Sequence, residues 1–203
     1  MSIYLDYNAS APLLDEVLDT MIDIYKNTPG NADSRTHIFG TNAQKVVQNS
    51  RNTIANVLGV DQSEIIFTSG STESNNTVIL GIEEYALQTG KTHIITTSIE
   101  HKAILEPLKY LEKKGFNVDY VSPDKSGRID SDYLLSLVTD KTCLVSVMFV
   151  NSETGIIQPV DKIGDALKDT PVLFHVDATQ ALGKLNREIR VLNYNLMSVA
   201  SHK

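Results

Sequence analysis

Three consecutive stretches decide the fold: Cys143-Leu144-Val145-Ser146-Val147-Met148-Phe149-Val150, then Val160 to Leu167, then Val172-Leu173-Phe174-His175-Val176. The first and third are mostly apolar runs of strand length. The second is a helical stretch. A strand, a helix and a strand in succession argue for parallel neighbours joined by a crossover.

The same alternation extends outward in both directions. His93 to Thr97, Val118 to Val121 and Leu196 to Ala200 read as further strands. Lys102 to Lys114 and Ser131 to Val138 read as helices between them. Towards the N-terminus, Leu14, Val17, Leu18, Met21, Ile22 and Tyr25 recur at helical spacing. A turn-rich stretch follows over 27–34, then a helix from about Asn42 to Leu58 with Gly59 as its C-cap. Ile65-Ile66-Phe67-Thr68 reads as a short buried strand, leading through Ser69-Gly70-Ser71-Thr72-Glu73 into a helix that ends near Leu87. Neither a repeat nor a Pro/Gly/Ser-rich linker interrupts the pattern. The expected fold is one continuous α/β domain, a largely parallel sheet with helices on both faces.

Composition narrows the function. Hydrophobic residues are 41% and charged residues 21% of the 203, which excludes disordered, collagenous and coiled-coil chains. No apolar run approaches the ~18 residues of a membrane span. Met1-Ser2-Ile3-Tyr4-Leu5-Asp6 lacks the basic and apolar regions of a signal peptide. The net charge of -7 argues against nucleic acid or an anionic membrane as the main partner. A single cysteine forms no internal disulfide and no multi-cysteine zinc site, which fits a cytoplasmic setting.

In parallel α/β sheets ligands sit beyond the carboxyl ends of the strands, and each end here carries polar residues. Thr68-Ser69-Gly70-Ser71-Thr72-Glu73-Ser74 reads either as a helix start N-capped by Ser71 or Thr72, or as an anion cup of free N–H groups with two hydroxyls. It is not a Walker loop, having no Gly-Lys-Ser/Thr. His101, in Ser98-Ile99-Glu100-His101-Lys102, is a capping residue or a cleft residue. Val150-Asn151-Ser152-Glu153-Thr154-Gly155 is a turn or a set of ligand contacts. Asp177 ends an apolar strand, where a carboxylate needs a partner, and His175 shares its face. Lys203, just past a strand, is a solvent-facing residue or an amine nucleophile. A phosphate cup, an acid, a planar side chain and a lysine together are what pyridoxal phosphate requires.

Seven collinear segments carry a resemblance to a known family. They are Tyr4-Leu5-Asp6-Tyr7-Asn8-Ala9, Asn31 to Gly40, Phe67 to Ser74, Glu100-His101-Lys102, Val150 to Gly155, His175-Val176-Asp177-Ala178-Thr179-Gln180 and Ser201-His202-Lys203. The chain resembles the N-terminal portion of a cysteine desulfurase of the NifS/IscS type, within the class V, fold-type-I pyridoxal-phosphate enzymes. That likeness implies an aspartate-aminotransferase-like large domain, incomplete here. Residues 1–203 would be the N-terminal segment plus most of the pyridoxal-phosphate-binding domain, without the C-terminal small domain. Ser71, Thr72 and His202 would hold the cofactor phosphate. His101 would stack on the ring and take part in proton transfers. Asp177 would pair with the pyridine nitrogen, and Gln180 and Ser152 would meet the ring substituents. Lys203 would hold the cofactor covalently and serve as the base at the substrate Cα. L-Cysteine would yield L-alanine and an enzyme persulfide, passed to a sulfur-acceptor protein such as an iron–sulfur scaffold, or to tRNA thiolation. A homodimer is implied, with neither direct nucleic-acid nor membrane contact.

Three departures from the family pattern stand out. Ser152 replaces a second asparagine, and Ala200 replaces a phosphate-binding serine, with Ser201 one place later. The persulfide cysteine and the substrate-carboxylate arginine of the family follow the lysine. Cys143 lies in an apolar strand and reads as a small core residue. On that basis the chain alone is expected to be inactive. The alternatives are a non-catalytic remnant or partner-binding subunit that keeps the fold, and an unrelated nucleotide-binding module.

Overall fold

Residues 2–203 are described in a computed structural model. The chain divides into two units, one running to Phe67 and taking in His202, the other comprising Thr68 to Ser201 with Lys203.

In the first unit, α1 spans Asp15–Asn27. Asp15 and Glu16 in its first turn and Lys26 in its last match the helix dipole. The apolar stripe exists as the spacing predicts, but Leu14, Val17, Leu18, Met21, Ile22 and Tyr25 are all exposed. Helix α2 spans Ile38–Leu58 and starts ahead of the Asn42 that periodicity indicates. The cause is a cap: His37 Nδ1 accepts from the Gly40 N–H at 3.1 Å. The helix ends at Gly59 with φ 75°, as expected for a glycine C-cap.

Ile65-Ile66-Phe67-Thr68 is not the expected buried strand. The segment follows a capped 3₁₀ turn, Gln62–Glu64, and is in no ladder. Ile66 is 80% exposed. An apolar run becomes a strand only when a neighbour takes its backbone groups. Here the Arg51 side chain bonds the Ile65 carbonyl and lies 4.9 Å over the Phe67 ring.

The second unit holds α3 (Ser71–Thr89), β1 (His93–Thr97), α4 (Lys102–Lys113), β2 (Asn117–Val121), α5 (Ser131–Ser136), β3 (Thr142–Met148), α6 (Val160–Leu167), β4 (Leu173–Asp177), α7 (Asn186–Val191) and β5 (Leu196–Ser198). The five strands are parallel in the order β2-β1-β3-β4-β5. The α/β class and the parallel sheet agree with the sequence expectation. Helix α7, with Ile189 buried, goes unanticipated because a six-residue helix shows too little periodicity.

Register assigns the two faces. Ile94, Leu144 and Leu173 align across β1, β3 and β4. They pack with Ile79, Ile82 and Ala86 of α3 and with Ile104, Leu108 and Leu111 of α4. Their neighbours Ile95, Val145 and Phe174 align on the opposite face and are equally buried. Helix α6 approaches that second face at Gly164, where a Cβ would strike the Asn193 carbonyl and come within 3.4 Å of the Phe174 ring. Helices therefore cover both faces, and the polar strand ends share one edge.

Candidate functional site

Helix α3 begins without a side-chain cap, so neither Ser71 nor Thr72 is the N-cap. That position is Gly70, with φ 156° and ψ 177°, backbone that an L side chain adopts only under strain. A Cβ there would meet nothing within 4 Å, so dihedral angles rather than space demand glycine. Thr68 Oγ1 accepts from the Gly70 N–H at 3.3 Å and lies 2.9 Å from Ser74 Oγ. Glu73 Oε2 accepts from the Ser69 N–H at 2.6 Å, and hydrogen bonding from Ser69, its side chain first and its backbone second, lowers the Glu73 pKa. The loop is thus shaped by its own side chains. The first-turn N–H groups at Ser71 and Thr72 lack intrahelical acceptors.

Asn75, one turn into α3 and buried, donates Nδ2–H to Asp177 Oδ2 at 2.8 Å. Asp177 Oδ1 accepts from the Thr179 N–H at 3.0 Å. This carboxylate at the end of β4 is only 6% exposed and is held on both oxygens, as burial requires. Gln180, also buried, follows it, and its Oε1 accepts from Lys184 Nζ at 3.1 Å.

His101 is exposed and caps α4, its Nδ1 accepting from the Ala103 N–H at 3.1 Å. With Nδ1 occupied as an acceptor, the N–H of the neutral tautomer sits on Nε2. The preceding Glu100 is buried. Its Oε1 accepts from Thr97 Oγ1 at 2.6 Å and from the Met148 N–H at 2.9 Å. Burial pushes its pKa up to about 8. After β3, Asn151 Oδ1 accepts from the N–H groups of Glu153 and Thr154 at 3.0 and 2.9 Å, and its Nδ2 reaches the Ile99 carbonyl at 3.3 Å. Half-buried Ser152 sits in that turn.

The second unit thus brings Ser71, Thr72, His101, Ser152, Asp177 and Gln180 to one edge. Lys203, half-buried, follows β5 in the same unit. His202 groups with the first unit, its carbonyl accepting from the Ala11 N–H at 2.9 Å. Of the residues whose side chains bond across these strand ends, Asn75 is absent from the sequence reading, and Glu100 and Asn151 enter it only within quoted segments, without roles of their own. Asn151 alone has a local signal there, an asparagine opening a polar turn after an apolar strand.

Cys143 lies fully buried in β3 with Sγ 3.2 Å from the His93 carbonyl, and burial pushes its pKa up to about 11. It is a core residue, not a nucleophile. Iodoacetamide at pH 8 is expected to leave the folded chain unmodified for the period in which it fully alkylates the urea-unfolded chain. Rapid native labelling, read by intact mass, would contradict the assignment.

The site fits pyridoxal phosphate on a structural observation. Asn75 Oδ1, Glu100 Oε2 and Thr179 Oγ1 are buried without protein partners. The first and third belong to the residues that hold Asp177. Polar capacity left over beside a buried carboxylate and an uncapped helix start suits a polar aromatic phosphate.

The aminotransferase class-V family profile matches residues 3–203. A mitosomal cysteine desulfurase of Trachipleistophora hominis is 43% identical over 202 residues, covering 99% of this chain and 46% of the relative. The cysteine desulfurase IscS of Ehrlichia chaffeensis is 41% identical over 203 residues, covering 100% and 49%. A solved NifS-like protein superposes with a TM-score of 0.94 at 41% identity, covering 100% of this chain and 55% of that one. The chain spans about half the length of these relatives. With its parallel sheet and its match over residues 3–203, the chain belongs to the aminotransferase class-V family and resembles the NifS/IscS cysteine desulfurases within it.

Proposed function

We propose that this chain is the cofactor-binding part of a pyridoxal-phosphate-dependent cysteine desulfurase. The observation that carries the reading is the buried Asp177 carboxylate, held by Asn75 of the same helix whose uncapped start presents Ser71 and Thr72. Backbone N–H groups and hydroxyls of those two residues would hold the phosphate, with the helix dipole adding its field. Asp177 would pair with the pyridine nitrogen. His101 would face the ring, with Nε2–H as a donor. Gln180 would meet the phenolic oxygen. Ser152 is shorter than the family's asparagine and would meet the ring substituents through water. When bound, the cofactor would supply the electron sink that weakens bonds at the Cα of L-cysteine. Lys203 Nζ would hold the cofactor and serve as the base at the substrate Cα.

The sulfur-accepting thiol lies outside these 203 residues, because the one cysteine here is buried in β3. The chain alone therefore releases no sulfur from L-cysteine. The complete protein works as a cytoplasmic homodimer and hands its sulfur to an acceptor protein such as an iron–sulfur scaffold. Among the described residues no helix is long and apolar enough to cross a membrane.

The test is borohydride reduction in the presence of pyridoxal phosphate, followed by peptide mass mapping. A reduced adduct on Lys203, absent after Lys203→Ala, is the expected result. An unmodified Lys203 in the parent chain would refute the reading.

A further inference from the structure

Beneath Asp177 the sheet carries polar groups that the proposed chemistry leaves unused. His175 is 0% exposed, and both ring nitrogens are engaged. Nδ1 lies 2.9 Å from Ser146 Oγ on β3 and Nε2 lies 3.0 Å from Ser198 Oγ on β5. Both serines are buried. Thr96 on β1 extends the row by donating Oγ1–H to the Ser146 carbonyl at 2.9 Å. A chain of buried polar groups thus crosses β1, β3, β4 and β5. Burial holds the His175 pKa well below the usual range, against the pull of Asp177. The ring is neutral, donating through one nitrogen and accepting through the other, with the serine hydroxyls turning to match.

Burying this many polar atoms in a sheet core costs stability that an apolar row would not. Its location suggests what it does. Strand β5 has only three residues and three register pairs with β4. Its start is fixed at Asn195, whose N–H donates to the Phe174 carbonyl at 2.9 Å and whose Oδ1 accepts from the Phe174 N–H at 2.8 Å. Its end is fixed at Ser198, whose carbonyl accepts from the Ala178 N–H at 2.8 Å and whose hydroxyl meets His175. From Ser198 the chain runs directly to Lys203.

We infer that His175 is a positioning residue for Lys203: by gripping Ser198 it fixes the point from which the lysine segment leaves the sheet. The inference rests on the cofactor reading above.

Two substitutions separate this role from plain sheet stability. The amide of asparagine lies as many bonds from Cβ as Nδ1 does, so His175→Asn retains the Ser146 contact and loses Ser198. The amide of glutamine matches Nε2, so His175→Gln retains Ser198 and loses Ser146. Each variant forfeits one buried hydrogen bond, and both are expected to melt at similar temperatures.

The first readout needs no cofactor. It is the exchange protection of the Ala178 amide, whose acceptor is the Ser198 carbonyl. The second is the rate of borohydride-trapped pyridoxal phosphate attachment at Lys203. His175→Asn is expected to lower both by about five- to tenfold, the worth of one hydrogen bond, while His175→Gln stays within about twofold of the parent. Equal behaviour of the two variants would overturn the inference. So would loss of Ala178 protection with an unchanged Lys203 rate. A parent chain that forms no Lys203 adduct would instead overturn the cofactor reading, and the positioning role with it.

Discussion

Replacing Asp177 with asparagine is expected to weaken pyridoxal phosphate binding about 10- to 100-fold while moving the melting temperature by only a few degrees. The two effects separate because of Asn75. In the parent, Asn75 Nδ2 donates to Asp177 Oδ2 and its own Oδ1 is buried without a partner. An amide at position 177 would place a second donor against Nδ2. Turning the Asn75 amide over exchanges its oxygen and nitrogen, so that its oxygen accepts from the new donor. The Thr179 N–H keeps its acceptor throughout. The fold therefore adapts, but the negative charge is gone. A charge-assisted hydrogen bond is worth roughly 1.5–3 kcal/mol, which sets the predicted loss. Fluorescence titration of the folded variant with pyridoxal phosphate measures it. Unchanged affinity would remove Asp177 from the site.

Replacing Glu100 with glutamine is expected to leave the variant increasingly more stable than the parent as pH rises from about 5 to about 8. Burial raises the Glu100 pKa from the ordinary 4.5 to about 8. Over that interval the folded chain holds a proton that the unfolded chain has released. The linkage slope is then negative: stability is fully present below pH about 4.5 and is lost progressively up to about 8. At about 1.4 kcal/mol per pKa unit the total is on the order of 5 kcal/mol. Glutamine copies the neutral acid and keeps an oxygen for Thr97 and Met148. His175, whose pKa burial lowers, adds an opposing slope to both chains below about pH 6.5, so the difference between them is the readout. Urea denaturation at pH 5, 6, 7 and 8 should show Glu100→Gln drawing ahead of the parent by about 1.4 kcal/mol per pH unit. Parallel series would show that Glu100 carries its charge at no cost.

Much of this molecule is legible in its sequence, for identifiable reasons. Strand β1 runs over the expected residues 93–97 because the β-branched stretch Ile94-Ile95-Thr96-Thr97 is a local signal. Asp177 stands out because a carboxylate closing a buried strand conflicts with its surroundings. Asn75 and Glu100 do not stand out, since their meaning lies in partners 102 and 48 residues away in the chain. Asn75 looks like any polar residue of a helix until β4 arrives beside it. The failure at 65–68 is of the same kind: residue types alone cannot say whether a neighbour supplies the ladder. The His175 row was visible only as two residues sharing a face, because its serines come from β3 and β5.

The strand order has a bearing on how the protein is made. After β1 has paired with β2, every later strand docks on the same side, β3 on β1, β4 on β3 and β5 on β4. During synthesis β3 meets the free edge of β1, and β4 and β5 each meet the edge left by the strand before, so the sheet can grow in the direction of translation without rearrangement. Asp177 is laid down with β4, and the short strand that leads to Lys203 comes after it. On the cofactor reading, the acid proposed for the pyridine is therefore made before the lysine.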